Sequence, residues 1–461
     1  MSIQLHADTP VSIRPAMTDL VWIVVLTSLL HMAIPFLLQD TYTAYMLGDR
    51  AEHRLAKLTA VLAAPNFDSA LAVIFDYGAP GDYLLFLPAH ILGGHGFVVA
   101  QNIALHLFGL VYLYLLADRL FGRRTAIFAC AIYALLPASL FHPHTFSSEA
   151  ISNPLLIAAS FHAVCLLGEK RPALRDLALF CAFATIAIFV RNINGLLPVF
   201  VAFLFVVRHG AGVRALALAA GMIAGAFVLP AGWAAADATI GARYPHNTVL
   251  NGFGSNLYWR AERFEALDGI ALPEDIQQRQ AMSLGEFIET VSARPGPYLK
   301  TVYADGINLI ANSGVNMVFG RFFRLYDPDD GSNSSMVVWR DIRTNEGYLA
   351  AIKAMASVAP GAMVANVAAL GIHLALLLIS GLAALGYLVR GAAPLAVRMY
   401  LAGLPVYFLV FSFIASAVRW DMRSPAEFVI ALFAGVAITG IVRKNQRSGA
   451  PGHDPSPYRY G

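Results

Sequence analysis

Long apolar runs separated by short polar stretches make up most of the chain between residues 18 and 442. A helix needs about 20 mostly apolar residues to cross about 30 Å of hydrocarbon. Runs of this kind fall at 18–38, 97–117, 125–141, 149–167, 177–190, 193–207, 215–234, 363–389, 399–417 and 424–442. The pattern predicts an all-α polytopic membrane protein of about ten transmembrane helices. Runs 177–190 and 193–207 are short, and Arg191-Asn192-Ile193-Asn194-Gly195 between them is read as a tight hairpin near one interface. Asp49 to Leu62 and Tyr83 to Leu92 are too short or too polar to span, and suit helices lying in the interface.

The polar intervals give the organisation. Residues 1–234 form an N-terminal membrane module that includes a first outer loop at 39–96. An outer subdomain at 235–362 follows, then C-terminal membrane helices at 363–442 and a tail at 443–461. The large loop is rich in Asn, Gly, Asp, Arg and aromatics, with turn signals such as Asp327-Pro328-Asp329-Asp330-Gly331. There is no internal repeat or inverted pair of broken helices, which speaks against a secondary transporter.

Composition agrees. Of 461 residues 58% are hydrophobic and 13% charged, against about 25% charged in soluble domains, which excludes an ordinary cytosolic enzyme. Aromatic residues at 11% and a mean hydropathy of +0.61 exclude disorder. A net charge of +3 without a long Lys/Arg run gives no footprint for nucleic acid. Cys130, Cys165 and Cys181 sit in apolar stretches without CxxC spacing and read as core hydrophobes.

Basic residues fix the orientation. Arg119, Arg123 and Arg124, then Lys170, Arg171 and Arg175, then Arg208 and Arg214, then Arg390 and Arg398, and finally Arg443, Lys444 and Arg447 all fall on one side. By the positive-inside rule that side is cytoplasmic, with both termini on it. The first apolar run has one basic residue before it, Arg14, and no small-residue cleavage site, so it is expected to stay as a membrane helix.

Against this background five outer residues stand out, because ionisable groups at membrane depth are costly unless they face a cavity or a partner. Asp40 closes the first span, either as a helix-end residue or as a carboxylate base taking a proton from an acceptor hydroxyl. Glu149 opens the fourth span, either as a first-turn acid behind a Ser147 or Ser148 cap or as a second functional carboxylate. Arg191 follows a wholly apolar run on the side where positive charge is disfavoured. Arg419 and Arg423 share only Asp421 between them. Guanidinium binds phosphate bidentately and keeps its charge in a low-dielectric site, so the three arginines and two acids read as a phosphate-handling site with a base. His142-Pro143-His144 is the one metal-like pair, and it reads as a polar turn. His90, His95 and His106 read as interfacial or packing residues, Gly93-Gly94-His95-Gly96 as a turn, and Asn333-Ser334-Ser335 as a sequon.

Taken in order, these features resemble the C-type, polyprenyl-phosphate-sugar-dependent glycosyltransferases, in the branch of the protein O-mannosyltransferases and the lipid A aminoarabinose transferase. The resemblance is carried by Gly81-Asp82-Tyr83-Leu84-Leu85-Phe86, Leu116-Ala117-Asp118-Arg119-Leu120-Phe121-Gly122-Arg123-Arg124, Ala131 to Pro137, Ser147-Ser148-Glu149-Ala150, Val190-Arg191 and Arg423-Ser424-Pro425. Asp40 stands in the place of the family's first-loop acid. Thr41 replaces a second acid that often follows, and Asn192 replaces the usual proline after the arginine. The resemblance covers 20–210 and 399–442, and hardly touches 235–362.

It implies an inverting transfer of a sugar from a polyprenyl-phosphate donor to an acceptor hydroxyl on the outer face of a membrane, by analogy a bacterial inner membrane. The acceptor would be a lipid, a glycan or a protein. Asp40 would serve as base, aided by Glu149, and Arg191, Arg419 and Arg423 would hold the phosphate. No cofactor is implied, and a divalent metal is compatible with this reading without being required. A flippase for a lipid-linked sugar would use the same arginines and need no base, and a scaffold presenting 235–362 would need neither.

Overall fold

The computed structural model describes residues 13–38, 42, 50–75, 81–244, 257–262, 271–311, 348–358, 360–415 and 420–448. Among them all regular structure is helical. The first apolar run forms α1 (Ile13–Leu38). The stretch from Asp49 to Leu62, expected to lie in the interface, forms α2 (Arg50–Ala63), and α3 (Phe67–Phe75) follows. Next come α4 (Gly81–Phe121), α5 (Arg123–Leu135), α6 (Pro137–Phe141), α7 (Ser148–Gly168), α8 (Leu174–Val190), α9 (Leu197–His209), α10 (Val213–Ala226) and α11 (Val228–Thr239). The large loop contributes α12 (Glu274–Arg279), α13 (Leu284–Ala293), α14 (Pro295–Ala311) and α15 (Tyr348–Val358). The chain then returns through α16 (Pro360–Arg390), α17 (Leu395–Ala415) and α18 (Glu427–Ser448).

Breaks fall where backbone chemistry puts them. Inside α4, Gly94 has φ +63°, a conformation that glycine adopts without a Cβ penalty. This divides Tyr83 to Leu92, expected to lie in the interface, from the longer helical arm after it. Pro137 starts a new helix at 63° to the preceding one, since it has no N–H to continue α5. Arg191 is extended at φ −148°, ψ 104°, and the turn Asn192–Asn194 leads from α8 into α9.

Among the described residues six helical stretches are long and apolar enough to cross a membrane, eight if the bent pairs α5–α6 and α10–α11 each count as one span. The expected count of ten is not confirmed, and α8, with 17 residues, rises only about 25 Å.

α7 is the centre of the bundle, almost wholly buried, whereas α1 and α16 turn residues such as Trp22, Leu29, Ile372 and Leu382 outward. The main apolar core runs through α4, α5, α7, α9, α10, α17 and α18. At Gly435 the backbone of α18 lies so close to α5 that a Cβ would sit 3.0 Å from Thr125 O and Ala129 N. This contact fixes the height of α18 and of the residues at its start.

At one end of the bundle the basic loops find acids. Arg123 grips Asp19 at the foot of α1, and Arg119 pairs with Glu169 at 2.8 Å. The large loop holds a second small core of Leu257, Tyr258, Ala261, Leu272, Ile276, Met282 and Phe287, with Arg260 fully buried beneath the Tyr298 ring. Ser283 and Glu286 form a reciprocal cap on α13. The Ser283 amide, the Arg279 guanidinium and the Ser283 hydroxyl together hold the Glu286 carboxyl down at about 2, from an ordinary 4.5.

Because the folded value is depressed, this stabilisation is complete above the unfolded value and is lost as pH falls through about 2. Hydrogen exchange should therefore show α13 equally protected at neutral pH and at pH about 5, with protection declining as pH drops below about 4. Glu286→Gln should show the loss already at neutral pH, and equal protection in the two proteins would remove the cap from this role.

Candidate functional site

The end of the bundle opposite the basic loops is built from helix termini. Pro137 turns the chain into α6 and the turn His142–His144, and α7 then begins at Ser148. Beside it lie the end of α8 at Arg191 and the turn Trp420–Ala426 that leads into α18. Polar side chains gather here because helix ends leave amides and carbonyls to satisfy.

Glu149 and Arg191 meet directly, Oε1 to Nη2 at 3.1 Å, with side chains only 6% and 11% exposed. Ser148 Oγ donates to the other Glu149 oxygen at 3.0 Å. Ser147 stands at the N-cap, but its hydroxyl bonds His142 Nδ1 at 3.0 Å and no helix amide. Capping therefore does not account for Glu149, whose carboxylate is committed to an ion pair between two helices.

Arg423 lies buried in the turn that leads into α18. It donates to Leu309 O at the C-terminal end of α14 and, through Nε and Nη2, to Glu427 Oε1 at 3.4 Å. Carbonyls at a helix C-terminus attract a cation, and His373 Nε2 of α16 reaches the adjacent Ile310 O at 2.9 Å. To meet a phosphate, Arg423 has to exchange these partners. Asn153 Nδ2 donates to Ser424 Oγ at 3.1 Å, joining α7 to the same turn.

A cleft opens among these elements, lined by His106, Tyr133, His142, Glu149, Asn153, Ser424 and Glu427 together with smaller residues. Next to it His144 bridges His31 Nδ1 at 3.0 Å and the Tyr42 hydroxyl at 2.9 Å. Burial pushes the Tyr42 phenol up to about 12, so it stays neutral as the partner of His144. Asp40 and Arg419 lie outside the described residues, as does the sequon at Asn333. Of the sequence-derived site, Glu149 and Arg191 are thus in contact and Arg423 stands one residue behind the cleft wall.

Glu427, His31 and Asn153 are absent from the sequence-derived site. Glu427 has a signal, an acid four residues after Arg423 at the head of an apolar run, and the other two have none, since each looks like a polar residue within a span. Among the described residues the one metal-like cluster, Cys165, Glu169 and Asp176, lies at the opposite end. There Arg119 takes Glu169 and His162 bonds Asp176 at 2.8 Å.

Residues 80–233 match the dolichyl-phosphate-mannose-protein mannosyltransferase family. That is the branch the sequence resembles. The match covers a third of the chain and contains both Glu149 and Arg191.

Among solved structures, the archaeal oligosaccharyltransferase AglB from Archaeoglobus fulgidus, in complex with an inhibitory peptide and a dolichol-phosphate, is similar at 13% identity with a TM-score of 0.48. The alignment covers 96% of this chain and 53% of that one, so this chain spans about half the length of AglB. ArnT from Cupriavidus metallidurans bound to undecaprenyl phosphate is similar at 13% identity and a TM-score of 0.39, over 92% of this chain and 79% of that chain. No curated protein matches in sequence.

Proposed function

We propose that the protein is an integral membrane glycosyltransferase that moves a sugar from a polyprenyl-phosphate donor to an acceptor hydroxyl on the outer face. The observation that carries this reading is the buried Glu149–Arg191 pair beside a polar cleft, inside the segment that matches a family of lipid-phosphate-sugar transferases.

The chemistry needs little beyond positioning and charge. The acceptor oxygen attacks the anomeric carbon and its proton passes to the Asp40 carboxylate. The bond from that carbon to the phosphate oxygen breaks, and polyprenyl phosphate leaves with its charge met by Arg191 and Arg419. Attack opposite the leaving group inverts the anomeric centre. Glu149 holds Arg191 at the wall and keeps its charge compensated while no phosphate is bound. Arg423 joins the phosphate set if it releases Glu427 and α14. In this reading the termini face the cytoplasm and 235–362 selects the acceptor.

Reconstitution tests it. Purified protein in vesicles holding radiolabelled polyprenyl-phosphate sugars, supplied with a membrane extract as acceptor, should release polyprenyl phosphate and form a glycosidic product. Movement of intact labelled lipid between leaflets with no new glycosidic bond would establish the flippase instead.

A further inference from the structure

His106 Nε2, Asn153 Oδ1 and Glu427 Oε2, buried atoms of side chains that line this cleft, have no hydrogen-bond partner among the described residues, and Ser139 and His142 line it beside them. His106, Asn153 and Glu427 are only 3%, 7% and 3% exposed. Buried polar atoms in folded proteins are nearly always bonded, so three around one space point to a polar atom supplied from outside.

Each side chain is already fixed through its other half. Asn153 gives an amide hydrogen to Ser424 Oγ. Glu427 takes both Arg423 N–H groups on Oε1, which leaves Oε2 to the cleft. The His106 ring stacks on Tyr133, with the His31 ring edge-on at 5.0 Å.

Charge and size narrow the ligand. Glu149 and Glu427 each have an arginine partner, so the cleft offers a cation no uncompensated charge. A phosphate would face Glu427 Oε2 and Asn153 Oδ1, both of which only accept hydrogen bonds. A neutral hydroxyl donor fits them. The free space is about 10 Å³, enough for a water-sized group and far too small for a sugar ring.

Building on the transferase reading, we infer that this cleft takes one hydroxyl of the transferred sugar, which donates to Glu427 Oε2 and Asn153 Oδ1 with His106 Nε2 as third partner. Glu427 is then a specificity-determining residue, and Arg423 positions it. A site with buried acceptors for a substrate hydroxyl discriminates strongly against the analogue lacking it, because those acceptors are left unpaired.

The test is a binding titration of the full chain in nanodiscs. The probes are short-chain polyprenyl-phosphate mannose, glucose and galactose, their monodeoxy analogues, and bare polyprenyl phosphate. For the sugar that binds, one deoxy analogue should bind at least about tenfold more weakly than its parent. That ratio should fall below about threefold in Glu427→Gln and in Asn153→Ala. Being a ratio within each protein, it is independent of any loss of overall stability. If all deoxy analogues bind like their parent, or if both variants keep the wild-type ratio, the inference is overturned while a lipid-phosphate site stands. If neither bare nor sugar-bearing lipid binds, the transferase reading fails and this one with it.

Discussion

Replacing Asp40 by Asn is expected to reduce sugar transfer by a factor of about 10²–10⁴, with expression, membrane insertion and donor affinity unchanged. Asparagine keeps the size and the hydrogen-bonding oxygen of aspartate but cannot take up a proton near neutral pH. It therefore removes the base and leaves the shape. An acceptor hydroxyl is a poor nucleophile until its proton has a destination, so the loss should appear in kcat and not in KM. The acidic limb of the wild-type rate profile should be the one that Asp40→Asn abolishes. Wild-type turnover in the variant would take the base role from Asp40. A raised KM with kcat unchanged would make it a binding residue.

The second large effect is expected at Arg191. Its guanidinium is the charge that compensates Glu149 in a site where the acid is only 6% exposed, and removing one partner of a buried pair costs about 3–5 kcal/mol. Arg191→Leu should lower the thermal midpoint in detergent and abolish donor binding. The double variant Glu149→Leu/Arg191→Leu should recover most of the stability, because an apolar pair can fill a buried ion-pair site at little cost. It should recover none of the binding. Recovery of binding along with stability would show that the arginine is structural and holds no phosphate.

The legible part of this protein was whatever a run of residues decides by itself. Hydrophobic length placed the helices, the glycine turn at 93–96 divided α4, and the break at Arg191 to Gly195 followed from two short apolar runs with a polar stretch between them. The count of spans was less legible, since composition does not say whether a 17-residue helix such as α8 crosses by itself. The pairing of Glu149 with Arg191 was within reach, as two opposite charges at membrane depth on one side. What could not be read was contact across sequence distance. Arg423 finds Leu309 O across 114 positions, Asn153 finds Ser424 across 271, and His31 finds His144 across 113. No local periodicity encodes such meetings. Glu427 was hidden for another reason, because an acid at the start of an apolar helix is also an ordinary first-turn residue.

The docking of α14 bears on how such a protein can change over evolution. The segment between α11 and α16 has a small core of its own, as a cassette exchanged between relatives would. Yet the last carbonyls of its helix α14 rest on Arg423 and His373, which belong to two separate membrane segments. A transplanted cassette whose α14 ended differently would strand a buried cation in the host, next to the carboxylate it also serves. The seam along which recombination can succeed therefore runs inside the bundle, and the start of α18 has to travel with the loop.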